Sequence, residues 1–414
     1  MTQPAEPESP RRRKRQSALS SPAFRDYFWA ACGSTFGLWI MRFMLGWMAW
    51  ALTESALWVG IITGSMLAPT FIMSPIFGVI ADRINLRHGL FISLVLQTLI
   101  GLVAGLAYYA GWLDVTWLVV LAVAKGIVTS AHHPLRLSMM PRLIDRTLLP
   151  SGIGLSAMVF NTSRIIGPAV GAGLLTITSS GFVFMVASGL FAVASGLIIR
   201  LPSLPAAQTE GEQASIGRDL LAGLRFALAQ PAIRIILTLA MVNGFLGRTV
   251  LELLPALSGQ LLAGDANTLA LLTALAGVGS ILGGLIMSRQ RGRETRLVRL
   301  VFAALVFSSL MLMPMLLVSQ LLAVSVMILL LSLSTTITGT GCQALTQLTV
   351  ADAYRGRVLS LWTVITMGTP AIGAFAMGAL ADSLGFGLVL SLFAVLAVGT
   401  IVLLLPHRHA VHNR

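Results

Sequence analysis

Long runs of apolar residues fill most of the chain, and short polar or charged stretches separate them. The runs are continuously apolar and lack the polar residue at every second position that a barrel strand shows, so they predict membrane-spanning α-helices. The predicted helices cover residues 27–52, 56–80, 90–111, 116–137, 151–178, 182–200, 232–258, 267–288, 297–318, 321–347, 357–381 and 386–405.

The composition explains why these runs require a membrane. Of the 414 residues, 56% are hydrophobic and only 10% are charged, whereas a soluble domain has about 25% charged residues. A bilayer core is crossed by about 20 helical residues, so the chain is long enough for twelve spans with short connections. We therefore predict an all-α integral membrane protein.

Positive charges near the ends of the spans indicate their orientation, because Lys and Arg are retained on the cytoplasmic side of a membrane. A basic run, Arg11 to Arg15, precedes the first span, and the connections after even-numbered spans are rich in arginine. The connections after odd-numbered spans lack Lys and Arg and instead carry the acidic residues Glu54, Asp114, Asp265 and Asp382. This pattern predicts that both termini are cytoplasmic.

The chain is predicted to divide into two halves. The stretch LPSLPAAQTEGEQAS after the sixth span has two prolines and two glutamates, which is typical of a linker. The linker is predicted to contain an amphipathic surface helix near 216–229, or else an extension of the seventh span. The predicted parts are a basic N-terminal tail at 1–26, a six-helix bundle at 27–201, the linker at 202–230, a second bundle at 231–405 and a C-terminal tail at 406–414.

Two sequence matches indicate that the halves are repeats. GVIADRINLR, beginning at Gly78, matches GLIMSRQRGR, beginning at Gly284, and GPAVGA, beginning at Gly167, matches TPAIGA, beginning at Thr369. Both matches have nearly the same spacing and the same place in their half. They favour two pseudo-symmetric bundles related by an axis along the membrane normal.

The residues that follow the second span resemble a known signature. Gly78, Ala81, Asp82, Arg83 and Arg87 resemble the sequence between the second and third helices of the major facilitator superfamily. An aspartate there can accept hydrogen bonds from a helix start in the other half, which would close the cytoplasmic side, or it can be a solvated loop carboxylate. The resemblance implies a cytoplasmic gate made of Gly78, Asp82, Arg83, Arg87, Arg355 and Arg357.

The fifth span has a second recognisable pattern. The run from Ser163 through Gly167 and Pro168 to Gly171 resembles a GxxxGPxxGG motif of exporters, and Asn161 with Arg164 resembles the NxxR of the same helix. Small residues also let helices pack closely, so packing is the alternative role of this motif.

Longer stretches at 134–175 and 354–382 resemble the branch of the superfamily that includes enterobactin exporters and macrolide-efflux-like members. The resemblance implies proton-driven export of a small amphipathic molecule, such as a siderophore-like metabolite or a drug, by alternating access. It also implies that the chain lies in the inner membrane of a bacterium. Lipid or lysolipid transport and a receptor without transport activity are the alternatives.

Charged residues inside spans need a partner or a function, because each costs roughly 2.5–3.5 kcal/mol on insertion scales. Arg42, Lys125 and Arg248 fall on spans that line the central cavity of the superfamily fold, so we assign them to a substrate cavity. Glu252 follows Arg248 by one helical turn and can pair with it. We assign Glu252 to proton coupling, with a structural ion pair as the alternative.

Several other classes of function are not supported by the sequence. The basic residues are spread over many short connections rather than one folded face, so nucleic acid is not an expected partner, although the N-terminal basic run can contact anionic membrane lipids. The adjacent His132 and His133 point to different sides of a helix, and no GxxxxGK[ST] phosphate loop occurs. We expect no metal, no cofactor and no enzymatic activity, and we expect the chain to act as a monomer.

Overall fold

The computed structural model describes residues 18–203, 224–290, 294–350 and 352–406, and long α-helices account for most of them. The twelve predicted helices are confirmed. In chain order, they are α1 (Pro22–Thr53), α2 (Ala56–Arg83), α3 (Leu86–Tyr109), α4 (Val115–Met139), α5 (Leu149–Leu175), α6 (Ser180–Ile199), α7 (Pro231–Glu252), α8 (Ala266–Ser288), α9 (Glu294–Leu312), α10 (Leu321–Thr349), α11 (Asp352–Leu384) and α12 (Phe386–Leu404).

Eleven helices in the described ranges are long and apolar enough to cross a membrane. The twelfth, α5, has 27 residues and is therefore also long enough. It contains Asn161, Arg164 and Pro168, which lower its average hydropathy. These three residues belong to the exporter-like motifs, so the polar residues of α5 are also its motif residues.

Polar side chains begin several of these helices by accepting hydrogen bonds from the first backbone N–H groups, which have no partner inside a helix. Ser55 caps α2 through the N–H of Trp58, and Asp114 caps α4 through that of Trp117. Ser21 caps α1 through the N–H of Phe24. Because Ser21 starts α1 at Pro22, the helix begins before residue 27, within the predicted tail.

The helices pack in two groups that have the same arrangement. In the first, α3 packs against α4 and α6, α2 packs against α4, and α1 packs against α5 and α6; in the second, α8 and α9 pack against α10, and α9 also packs against α12. The two groups meet along α2 with α11 and along α5 with α8. These two contacts are equivalent in a six-helix repeat, since α8 corresponds to α2 and α11 to α5.

Parts of the predicted organisation lie outside the described residues. These parts are most of the N-terminal tail, residues 204–223 of the linker and the C-terminal residues 407–414. Residues 224–229, at the end of the predicted surface helix, are helical. The α1–α2 and α11–α12 connections lie on the side that the charge pattern predicts to face away from the cytoplasm, and we call it the outer side.

Candidate functional site

A cavity lies where the two bundles meet, and it is partly open to solvent. Residues of α1, α2, α5, α7, α8 and α10 line it, so both bundles contribute. Its charged lining residues are Arg42, Arg164, Arg248 and Glu252. Three positive charges and one negative charge give this lining a formal net charge of +2.

Glu252 lies at the centre of this charge group and contacts two arginines. Its Oε1 accepts a hydrogen bond from Arg248 Nε at 3.1 Å, one helical turn earlier on α7. Its Oε2 accepts a hydrogen bond from Arg42 Nη2, on α1 in the other bundle. The Glu252 side chain is only 9% exposed, so the carboxylate forms a largely buried bridge between the bundles.

An irregular stretch of α7 positions this carboxylate. Residues Gly244–Arg248 form a π-helical segment, Thr249–Glu252 return to an α-helix, and the helix ends before Pro255. A Cβ at Gly247 would lie 2.1 Å from Thr335 Oγ1, and one at Gly244 would lie 1.9 Å from Thr369 Oγ1. A side chain at either position would therefore require Thr335 or Thr369 to move, where α7 contacts α10 and α11.

The aromatic side chains of Trp39 and Phe43 line the cavity on the helix that carries Arg42. The Arg42 guanidinium lies 5.5 Å from the centre of the Trp39 ring, within the range of a cation–π contact. Trp39 also packs edge-on against Phe160 of α5, with ring centres 5.7 Å apart. Trp39 was not predicted to be a cavity residue, although it precedes Arg42 by three residues and therefore shares a helix face with it.

The α5 motif joins its helix to two neighbours. Arg164 donates a hydrogen bond to Ser280 of α8, in the other bundle. A Cβ at Gly167 would lie 2.7 Å from Trp39 Cβ, and one at Gly171 would lie 3.0 Å from Phe43 Cδ1, so these glycines allow α5 to approach α1. Pro168, between them, lines the cavity.

Asn161 does not share this arrangement. Its side chain is exposed and donates to the carbonyl of Ala157, one turn earlier in α5. The NxxR pair therefore places Arg164 at the bundle interface and Asn161 outside it.

Lys125 lines a void different from the one that contains Arg42 and Arg248. Its side chain is 4% exposed and faces a small void inside the first bundle, lined also by Met41, Gln97, Ile100 and Phe191. Lys125 is not among the residues that line the central cavity, and its assignment to a substrate cavity stays a prediction. Arg42 and Arg248, in contrast, both line the cavity.

The predicted cytoplasmic gate is described only in part. Arg87 donates to the carbonyl of Leu201 at 3.0 Å, and Asn85 caps α3 by accepting from the N–H groups of Arg87 and His88.

Two of the remaining gate residues, Gly78 and Arg83, lie in the last two turns of α2. The side chains of Asp82, Arg355 and Arg357 lie outside the described part of the structure, so the gate stays a prediction.

The described residues contain no group of three or more His, Cys, Asp or Glu side chains that could hold a metal ion. His132 Nδ1 lies 2.9 Å from Ser93 Oγ, between α4 and α3. This histidine therefore takes part in helix packing within the first bundle.

Comparisons with known proteins agree with this architecture. A family model described as a transmembrane secretion effector matches residues 15–413. The staphyloferrin A transporter of Staphylococcus aureus is 23% identical over 380 residues, covering 91% of this chain and 93% of the relative. The enterobactin exporter EntS of Escherichia coli is 26% identical over 394 residues, covering 89% and 90% of the two chains.

Solved structures show the same fold at low sequence identity. The nucleoside transporter NupG, as its D323A mutant, superposes with a TM-score of 0.72 at 12% identity, over 92% of this chain and 98% of the other. A bacterial homologue of the human lysosomal transporter Spinster superposes with a TM-score of 0.70 at 14% identity, over 96% and 97%. The chain therefore belongs to the MFS_3 family of transmembrane secretion effectors, and it is a multi-pass membrane transporter of the major facilitator fold, not an enzyme.

Proposed function

We propose that this transporter exports a small anionic organic molecule of the siderophore type in exchange for protons. The observation that carries the proposal is the buried Glu252 carboxylate, which bridges an arginine of each bundle at the central cavity. A proton on Glu252 removes the charge that holds Arg42 to α7, so protonation and bundle movement are linked.

The charge of the cavity supports the substrate class. Three arginines face one carboxylate, and an arginine fork suits carboxylate and phenolate groups because it can form two hydrogen bonds with them. Trp39 and Phe43 give the cavity an aromatic surface, and the Trp39 ring lies beside Arg42. An anionic substrate with an apolar or aromatic part matches this lining, and it can replace Glu252 as the partner of the arginines.

The relatives support export and a siderophore substrate. One of them is a staphyloferrin A transporter and another an enterobactin exporter. The α5 motif and the bacterial origin of these relatives support efflux across the inner membrane. The arginine-rich connections support cytoplasmic termini.

Everted membrane vesicles test substrate and direction together. Vesicles with and without the chain are given iron-free enterobactin or staphyloferrin A, and an interior-acid pH gradient is imposed. We expect the chain to increase accumulation of at least one compound, and dissipating the gradient to abolish the increase. A chain that accumulates neither compound, under conditions in which an authentic exporter does, would contradict the proposed substrate class.

An apolar groove favours a second candidate, transport of a lipid or lysolipid. The groove lies among α2, α4 and α11 and is lined by Gly64, Ile72, Val123 and Phe375. Ile72 and Phe375 are more than half exposed there, which suits an acyl chain at the side of the protein. Movement of a labelled lysophospholipid across proteoliposomes, without siderophore transport, would favour this candidate.

A further inference from the structure

The outer ends of α2 and α11 are joined by one carboxylate. Asp382, in the last turn of α11, accepts hydrogen bonds from the N–H of Ala56 at 2.7 Å and from the N–H of Leu57 at 3.1 Å. It also accepts one from the hydroxyl of Ser55 at 2.5 Å. The three donors begin α2, so the second bundle holds the first at the outer surface.

The start of α2 suits this contact. The first N–H groups of a helix have no partner within the helix and carry a partial positive charge, which a carboxylate stabilises. Ser55 accepts from the N–H of Trp58 while donating to Asp382. The cap of α2 and the contact between the bundles therefore depend on the same residues.

The backbones of the two helices also touch below this contact. A Cβ at Gly60 would lie 2.3 Å from the carbonyl oxygen of Ala374, and a Cβ at Gly378 would lie 2.5 Å from that of Ala56. Such close approach leaves no room for a side chain. The helix pair is thus packed tightly along the first two turns of α2, next to the outer surface.

The sequence pattern of the predicted cytoplasmic gate occurs again at the end of α11. Gly378-Ala-Leu-Ala-Asp382 has the same GxxAD spacing as Gly78-Val-Ile-Ala-Asp82 at the end of α2. Since α2 and α11 run in opposite directions, each helix ends with this pattern near the start of the other. One pattern lies on the outer side and the other on the predicted cytoplasmic side.

We propose that Asp382, with Gly60 and Gly378, forms an outer latch that closes the outer side of the cavity and releases the start of α2 when that side opens. The latch at Asp382 and the predicted gate at Asp82 then alternate, each closed when the other is open. This role depends on alternating access alone and is independent of the substrate and of the residue that carries the proton.

The rate at which a reagent reaches the cavity from outside tests the latch. A cysteine replaces Thr273, which lines the cavity, in a chain whose Cys32 and Cys342 are changed to serine. Right-side-out vesicles are treated with a membrane-impermeant maleimide. We expect Asp382→Asn to increase the labelling rate about tenfold, which corresponds to about 1.4 kcal/mol in the ratio of open to closed states.

Asp265→Asn is the matched control. Asp265 is also an outer-side carboxylate, but it caps its own helix α8 through the N–H of Thr268 at 2.9 Å. We expect this control to label at the parental rate. Parental labelling in Asp382→Asn, or an equal increase in Asp265→Asn, would overturn the latch.

Gly378→Ala tests the same idea without removing a charge. Its new Cβ would meet the Ala56 carbonyl, so we expect α2 and α11 to separate and labelling to increase. Gly284→Ala, where nothing lies within 4 Å of the new Cβ, is its control. If Gly378→Ala is well expressed and labels no faster than Gly284→Ala, the tight outer contact does not limit opening, and the proposal fails.

Discussion

At the scale of single residues, the buried charges differ in how they are compensated. Glu252 bonds to Arg42 and Arg248, and Arg164 bonds to Ser280. For Lys125, the described part of the structure records no hydrogen bond or ion pair, and the neighbouring Gln97 Oε1 is also buried without a partner. Removing the charge of Lys125 should therefore affect stability and transport differently from removing the charge of Arg42.

Lys125→Met tests this difference, because methionine is similar in length and carries no charge. We expect the purified variant to unfold at a higher temperature, since a charge in a span costs roughly 2.5–3.5 kcal/mol on insertion scales. We expect transport to stay within about twofold of the parent, whereas Arg42→Met should abolish it. If the Lys125→Met protein has normal stability but does not transport, then transport requires Lys125.

The sequence placed Arg42, Arg248 and Glu252 together. Arg42 and Arg248 are 206 residues apart, as the matched Gly78 and Gly284 are, and Glu252 follows Arg248 by one turn. It could not place Lys125, because a nearly continuous apolar helix gives no periodicity to indicate which face is interior. It also did not predict that Arg42 reaches Glu252, since a contact between bundles depends on how they are packed.

At the scale of helices, apolar length was sufficient to find the twelve spans, and polar caps explain why some begin earlier than predicted. The π-helical segment Gly244–Arg248 was not predicted. A single added residue in a helical turn leaves no clear mark on an apolar pattern. In hindsight, the closely spaced Gly244 and Gly247 are its only sequence signal.

Gly247→Ala tests whether this segment needs the close contact with α10. The added Cβ would lie 2.1 Å from Thr335 Oγ1 and 3.2 Å from Thr335 Cβ, so we expect a loss of about 1–3 kcal/mol of stability from overpacking. Thermal unfolding of the purified protein measures the loss, and adding Thr335→Ala should restore part of it.

The control for this variant is Gly189→Ala in α6, where nothing lies within 4 Å of the new Cβ. Alanine favours a helix over glycine by roughly 0.5–1 kcal/mol, so this control should be unchanged or slightly more stable. Equal stability of Gly247→Ala and Gly189→Ala would show that α7 does not depend on the contact.

At the scale of the whole molecule, the two bundles are connected by separate polar contacts. Glu252 with Arg42 and Arg164 with Ser280 lie at the central cavity, and Asp382 holds α2 at the outer surface. Alternating access requires such contacts to break and form in turn. The sequence repeat predicted the two bundles, but only the structure identifies which side chains connect them.

The proton role of Glu252 is the central claim, and Glu252→Gln in proteoliposomes tests it most directly. Glutamine keeps the shape of the side chain but cannot exchange a proton. We therefore expect accumulation driven by a pH gradient to fall at least tenfold, while substrate counterflow without a gradient stays within about twofold. Glu54→Gln, at the exposed end of α1, is the control and should retain both activities. Full gradient-driven accumulation by Glu252→Gln would contradict the account and leave Glu252 as a structural ion pair.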